Sequence, residues 1–234
     1  MKNLSEFLPW IPELFRDIAA MLPRAEEQGA AAHTEPRGYA WLFGERRVDV
    51  ARALCAPSAH TPNVVLIGEK REELFTEKNE LSAECMGFLR DIRRPNWSSG
   101  LPSPVRAVSA SFCISSLSVH ETQEFLQEAC RSLRMGGVFF WSDFFLPQSL
   151  SLLTLYQREH AGYIKNSEAK HANAAENGKP PPHSASSTEV FDTLLRERNL
   201  MLLENAIRTV TENGFGNVEI VAKRMNLAVI AAYR

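Results

Sequence analysis

The chain has 234 residues, 44% of them hydrophobic and 23% charged, with a formal net charge of −2. This is the composition of a soluble globular protein, long enough for one sizeable domain with an extension. The balance excludes a global basic field. Nucleic-acid binding is therefore not indicated: it would need a local patch, and the only adjacent arginine pairs are Arg46-Arg47 and Arg93-Arg94.

The four cysteines, Cys55, Cys85, Cys113 and Cys130, lie without CxxC or Cys/His ligand spacing. Most sit in apolar surroundings, which suits buried reduced thiols better than a disulfide framework. The start, "MKNLSEFLPW", has an acid and a proline where a leader would be apolar. No stretch approaches the roughly 20 apolar residues of a membrane span. A cytoplasmic protein without a membrane association is expected.

In chain order, residues 3–28 read as an amphipathic helix. Phe7, Leu8, Ile11, Leu14, Phe15, Ile18, Met21 and Leu22 recur at three- and four-residue steps. Residues 1–37 thus form a helical extension that packs on the core or acts as a lid or oligomer contact. From Gly38 short apolar runs alternate with helical stretches: strand "YAWLF", helix "RRVDVARALCA", strand "NVVLIG", helix "REELFTEKNELSAEC". "VRAVSASFCISSL" reads as a buried strand running into a loop. "ETQEFLQEACRSLR" is an amphipathic helix, with Met135-Gly136-Gly137 expected to cap its end. "VFFWSDFF" is then a buried strand whose aromatics, alternating across both faces, belong to the core.

Residues 147–190 form a polar insertion, containing Pro180-Pro181-Pro182, expected to be either a mobile insertion or a partly helical cap. The chain closes with a helical stretch stopped at Gly214 and two strands joined by a turn around Lys223-Arg224-Met225-Asn226. Continuous apolar strands alternating with amphipathic helices imply an α/β fold: a doubly wound, mostly parallel, Rossmann-like sheet with an antiparallel C-terminal hairpin, spanning 38–234. Ligands in such sheets sit beyond the carboxyl ends of the strands.

Two stretches carry a family resemblance. "AVSASFCISSLSVHETQEFLQEACRSLRMGGVFFWSDFF" has the strand, loop, helix, L-x-x-G-G turn and strand of class I S-adenosylmethionine-dependent methyltransferases. "NGFGNVEIVAKRMNLAVIAAYR" is similar to that family's closing turn and strands. The nearest branch is the tRNA uridine carboxymethyl-forming methyltransferases, which share a helical N-terminal segment and an insertion with a Gly-Tyr step like Gly162-Tyr163. The resemblance covers roughly 40–234 and implies S-adenosylmethionine as cofactor, with no metal.

Residue by residue, the cofactor positions depart from that pattern. The family's G-x-G-x-G loop approaches the cofactor with bare backbone; here Gly44 takes the first position, Arg46 the second and Val48 the third. Its acidic ribose acceptor after the second strand corresponds to Glu69, one residue late. Its adenine-side aspartate, preceded by glycine, falls on Phe88, which cannot accept that hydrogen bond. Ser115, in the loop after the fourth strand, is a further cofactor-side candidate. The resemblance therefore implies a degenerate cofactor site in which Arg46 projects into the cofactor's space.

His60, His120, His160, His171 and His183 lack metal-ligand spacing. Histidines of the insertion are expected to be exposed, though His160 could serve as a base; Asp143, at a strand's carboxyl end, is the other candidate base. Tyr163 would lie on the substrate cover, and Arg224 and Asn226 at the final turn are substrate-side candidates. Two functional classes follow. One is a non-catalytic or repurposed homologue that binds a small molecule or protein partner, as a homodimer or beside an active relative. The other is an active enzyme using S-adenosylmethionine on a small molecule. A third reading makes Arg46 and Arg47 an anion site.

Overall fold

The structure is a computed structural model that describes residues 11–21, 38–54, 63–81, 85–174 and 197–234. The outer parts of the expected N-terminal helix, Cys55, His60, His183 and all of the expected cap beyond residue 174 lie outside the described residues. In chain order the elements are α1 (Ile11–Met21), β1 (Tyr39–Gly44), α2 (Arg47–Leu54), β2 (Asn63–Gly68), α3 (Arg71–Glu80), β3 (Met86–Leu89) and β4 (Val105–Ser111). Then come α4 (Val119–Ser132), β5 (Leu133–Phe144), α5 (Leu150–Ala174), α6 (Leu203–Glu212), β6 (Gly216–Arg224) and β7 (Leu227–Tyr233).

The seven strands form one sheet in the order β3-β2-β1-β4-β5-β7-β6. The first five run parallel, and β7 pairs antiparallel with both β5 and β6. This is the doubly wound sheet with an antiparallel end that the alternation of runs implies. Strand order reverses between β1 and β4, so the switch point lies where Gly44 and Ser111 face each other in register.

Each central strand is buried on both sides because both sheet faces are covered. On one face Leu42, Leu66, Phe140 and Val229 pack under Phe15 and Ile18 of α1 and Val50 and Leu54 of α2. On the other, Trp41, Phe43, Val108, Phe139 and Ile230 pack under Phe125 and Leu126 of α4 and Ala206 and Val210 of α6. The aromatics of β5 divide between the two faces, as strand alternation requires. Phe43, Trp97 and Phe125 meet at ring-centroid distances of 5.0–5.5 Å, two of the three contacts edge-on.

α4 starts where Ser118 and Glu121 bond each other's backbone in a capping box. Its end differs from expectation. The helix stops at Ser132, and Met135-Gly136-Gly137 already belong to β5. Strand pairing takes these glycines: the Gly136 N–H donates to the Arg234 carbonyl at 2.9 Å. The turn at Met225 and Asn226 between β6 and β7 is as expected.

Candidate functional site

The carboxyl edge of β1 is where local chain geometry decides the chemistry. Only Glu45 and Arg46 separate β1 from α2, because the helix begins at Arg47. Val48 is therefore a helical residue packed on the core and needs no unusual backbone. Arg46 adopts φ +64°, and its Nε meets Asp49 Oδ2 at 2.6 Å, so its guanidinium stays with α2. Against the expectation that Arg46 projects inward, the buried arginine at this edge is Arg47.

Arg47 is 6% exposed. Its Nε donates to Glu77 Oε2 of α3 at 2.7 Å and its Nη1 to the Gly44 carbonyl at 3.1 Å. The guanidinium lies against the end of β2. A Cβ on Gly68 would stand 2.9–3.2 Å from three of its atoms. Gly68 stands where the resemblance expects an acid, and a side chain there would displace the Arg47 guanidinium. Burial pushes the Glu77 carboxyl up, opposed by the attraction of Arg47.

Gly44 has φ +80°, and a Cβ on it would fall 2.0 Å from the Ser111 carbonyl oxygen and 2.8 Å from Cys113 Cβ. Its bare backbone is covered by the loop after β4. Burial pushes the Cys113 thiol far up, which keeps it protonated.

A second arginine arrives from a distant part of the chain. Arg198 Nη1 donates to the Phe112 carbonyl at 2.6 Å and to Ser115 Oγ at 3.1 Å, while Nη2 donates to Glu45 Oε1 at 2.7 Å. Asn199 anchors this segment through its backbone N–H to the Ser115 carbonyl and its carboxamide to the Leu117 carbonyl. Behind Ser115 lies Asp143, fully buried. Its carboxylate accepts from the Ser115 N–H at 3.0 Å, Ser115 Oγ at 2.8 Å, the Phe144 N–H at 2.9 Å and Trp141 Nε1 at 3.4 Å. Burial raises the Asp143 carboxyl above the ordinary range, against the opposing pull of Arg198 and these hydrogen bonds.

Glu69 and Asp91 line one open cleft at the ends of β2 and β3. Arg93 joins them, Nη2 to Glu69 Oε2 at 2.8 Å and Nε to Asp91 Oδ1 at 2.8 Å. The Arg93 hydrogen bond holds the Asp91 carboxyl below its usual value. Phe88 lies within β3 and packs on the core, so the acid following that strand is Asp91. The signal for Asp91 in the sequence is "LRDI" directly after the apolar run that forms β3.

His160 and Tyr163 lie elsewhere, on α5. His160 is 1% exposed rather than exposed as expected, with Nε2 2.8 Å from Asn226 Oδ1 and its ring edge-on to Phe144. Burial lowers its pKa, against the Asn226 hydrogen bond. The Tyr163 hydroxyl accepts from Arg224 Nη2 at 3.0 Å. The structure thus joins the α5 candidates to the hairpin-turn candidates and leaves Asp143 with Ser115. Among the described residues no group of His, Cys, Asp and Glu could hold a metal, and no helix is long and apolar enough to cross a membrane. Cys85, Cys113 and Cys130 are buried.

No protein-family model matches the chain, and no curated protein matches it in sequence. Solved structures do match in shape. The magnesium protoporphyrin IX methyltransferase ChlM from Synechocystis PCC 6803, with bound SAH, is 10% identical with a TM-score of 0.58, over 100% of this chain and 88% of that one. An O-methyltransferase family protein from Burkholderia thailandensis is 10% identical with a TM-score of 0.58, over 96% of this chain and 56% of that one. A putative O-methyltransferase from Nostoc punctiforme PCC 73102 is 10% identical with a TM-score of 0.59, over 99% and 59%. The chain therefore spans less than two thirds of the length of most of these relatives. At this level of identity the likeness establishes architecture: the chain has the fold of the S-adenosylmethionine-dependent methyltransferases.

Proposed function

We propose that this is a methyltransferase-fold protein whose cofactor cleft is filled by its own side chains, and that it acts as a binding or regulatory partner without transferring a methyl group. The observation that carries this reading is the Arg47 guanidinium seated on Gly68 and bonded to Glu77. That is where the resemblance would seat the cofactor's ribose. The Arg198–Glu45 pair supports it at the neighbouring position. Seating an adenosyl ligand would require both partly exposed pairs to open. At on the order of 2 kcal/mol for each, affinity falls by about a thousandfold. Asp143 and His160 make poor bases, because each is buried and engaged in internal bonds. α1, and α5 with its Gly162-Tyr163 step, support kinship with the tRNA carboxymethyl-forming branch. Pairing with a second copy or with an active relative in the cytoplasm fits a regulatory role. Calorimetric titration with millimolar S-adenosylmethionine tests the proposal: no saturable heat is expected, and a micromolar Kd overturns it.

One observation favours a second reading, an active S-adenosylmethionine-dependent enzyme. Glu69 and Asp91 follow β2 and β3 and border one open cleft, as acceptors for a ribose and an adenine would. Methyl transfer asks little of a protein beyond orientation. Mass spectrometry of the protein denatured straight from expression should then release S-adenosyl species. Arg46 and Arg47 do not favour an anion site, since each is already paired with a carboxylate.

A further inference from the structure

Three acceptors converge on Arg198. The Phe112 carbonyl, the Glu45 carboxylate and Ser115 Oγ all lie within 3.1 Å of its two terminal nitrogens. Ser115 Oγ spends its proton on Asp143 and so turns a lone pair outward. Two carboxylates, Glu45 and the buried Asp143, share the field of this one guanidinium. Arg47 is occupied with Glu77. Without Arg198 the walls would present only acceptors and an excess of negative charge, in a place from which water is largely excluded.

The arginine is held differently from its surroundings. The acceptors stand in the connections directly after β1 and β4, the latter tied to β5 through Asp143, whereas residues 198–201 form an irregular segment leading to α6. Asn199 supplies that segment's own attachments to the β4 loop. The Arg198 side chain can therefore rotate away while the backbone stays docked. We propose that Glu45, the Phe112 carbonyl and Ser115 form a binding subsite for an alkyl cation, a guanidinium or primary ammonium group, which Arg198 occupies in cis until a ligand displaces it. This rests on the reading that the chain fills its own cleft, and it names the ligand chemistry which that cleft retains.

Ethylguanidinium, which replaces most of the side chain removed in R198A, is the probe. It is expected to bind R198A roughly tenfold more tightly than the wild-type chain, followed by thermal shift and calorimetry. Ethylurea, neutral and of similar shape, should give no saturable response, and E45Q/R198A should lose about tenfold in affinity for the cation. Equal responses from R198A and wild type, or from R198A and E45Q/R198A, overturn the proposal. Should R198A fail to fold by circular dichroism, the wild-type chain still reads the subsite. Phenylglyoxal labelling of Arg198, whose side chain is only 8% exposed, should rise with added ethylammonium, a primary ammonium without the guanidinium that the reagent attacks, and not with ethylurea; an unchanged labelling overturns the proposal. Binding of S-adenosylmethionine by the wild-type chain would end the reading above and leave these alkyl-cation measurements to decide the subsite independently.

Discussion

Phe43 and Gly44 are neighbours on β1, yet they belong to regions closed by different forces. Phe43 enters an aromatic cluster with Trp97 and Phe125, where rings of fixed shape exclude water by packing. At Gly44 the space is taken by Arg47, Arg198 and the β4 loop, held by charged hydrogen bonds to Glu77 and Glu45. The first region is non-directional and cannot be re-paired. The second consists of pairs whose members could each find water or another partner. The contrast teaches that a fold can keep a packed floor while the groups above it exchange roles, which is how one architecture hosts many functions.

Removing a ring should distinguish the regions most strongly. F125A is expected to cost about 3–4 kcal/mol in denaturant unfolding, with no second substitution restoring it. R47M should cost less, about 2 kcal/mol, because it strands Glu77 rather than opening a cavity. Adding E77Q should recover most of that loss, since a pair replaced by neutral groups of similar size is often close to neutral. If R47M/E77Q remains as unstable as R47M, the cleft is held by packing and the contrast fails. The smallest effect is pH dependence at the third polar contact, His160 with Asn226. The folded-state pKa of His160 lies below the ordinary 6.5. Its contribution is therefore complete above that value and is lost as pH falls through the lower folded value. Below about pH 6.5 the wild-type chain should lose stability more steeply with falling pH than H160Q. Equal slopes would mean that His160 is not held neutral in the folded state.

The sheet was legible because its signal is local. "NVVLIG" and "VFFWSDFF" are continuous apolar runs, and the spacing in "ETQEFLQEACRSLR" puts Phe125, Leu126 and Ala129 on one buried helix face. The site was legible only in part, because its signals turn on single-residue shifts and distant partners. One step in the start of α2 decides whether Arg46 or Arg47 faces inward. Whether β3 begins before or after Gly87 decides between Phe88 and Asp91. Arg198 meets Glu45 across 153 positions, and nothing in either local stretch announces the other. His160 was misjudged for a related reason: it lies in a polar sequence, but Asn226 on the hairpin turn supplies the polar partner that burial demands.

The approach of Gly44 to the Ser111 carbonyl leaves position 44 no room for any side chain. A Cβ there would meet a main-chain oxygen, which no rotamer change can move, whereas at Gly68 it would meet only the movable tip of an arginine. The two glycines are therefore unequal: the first is dictated by the peptide beside it, the second by a neighbour that can give way.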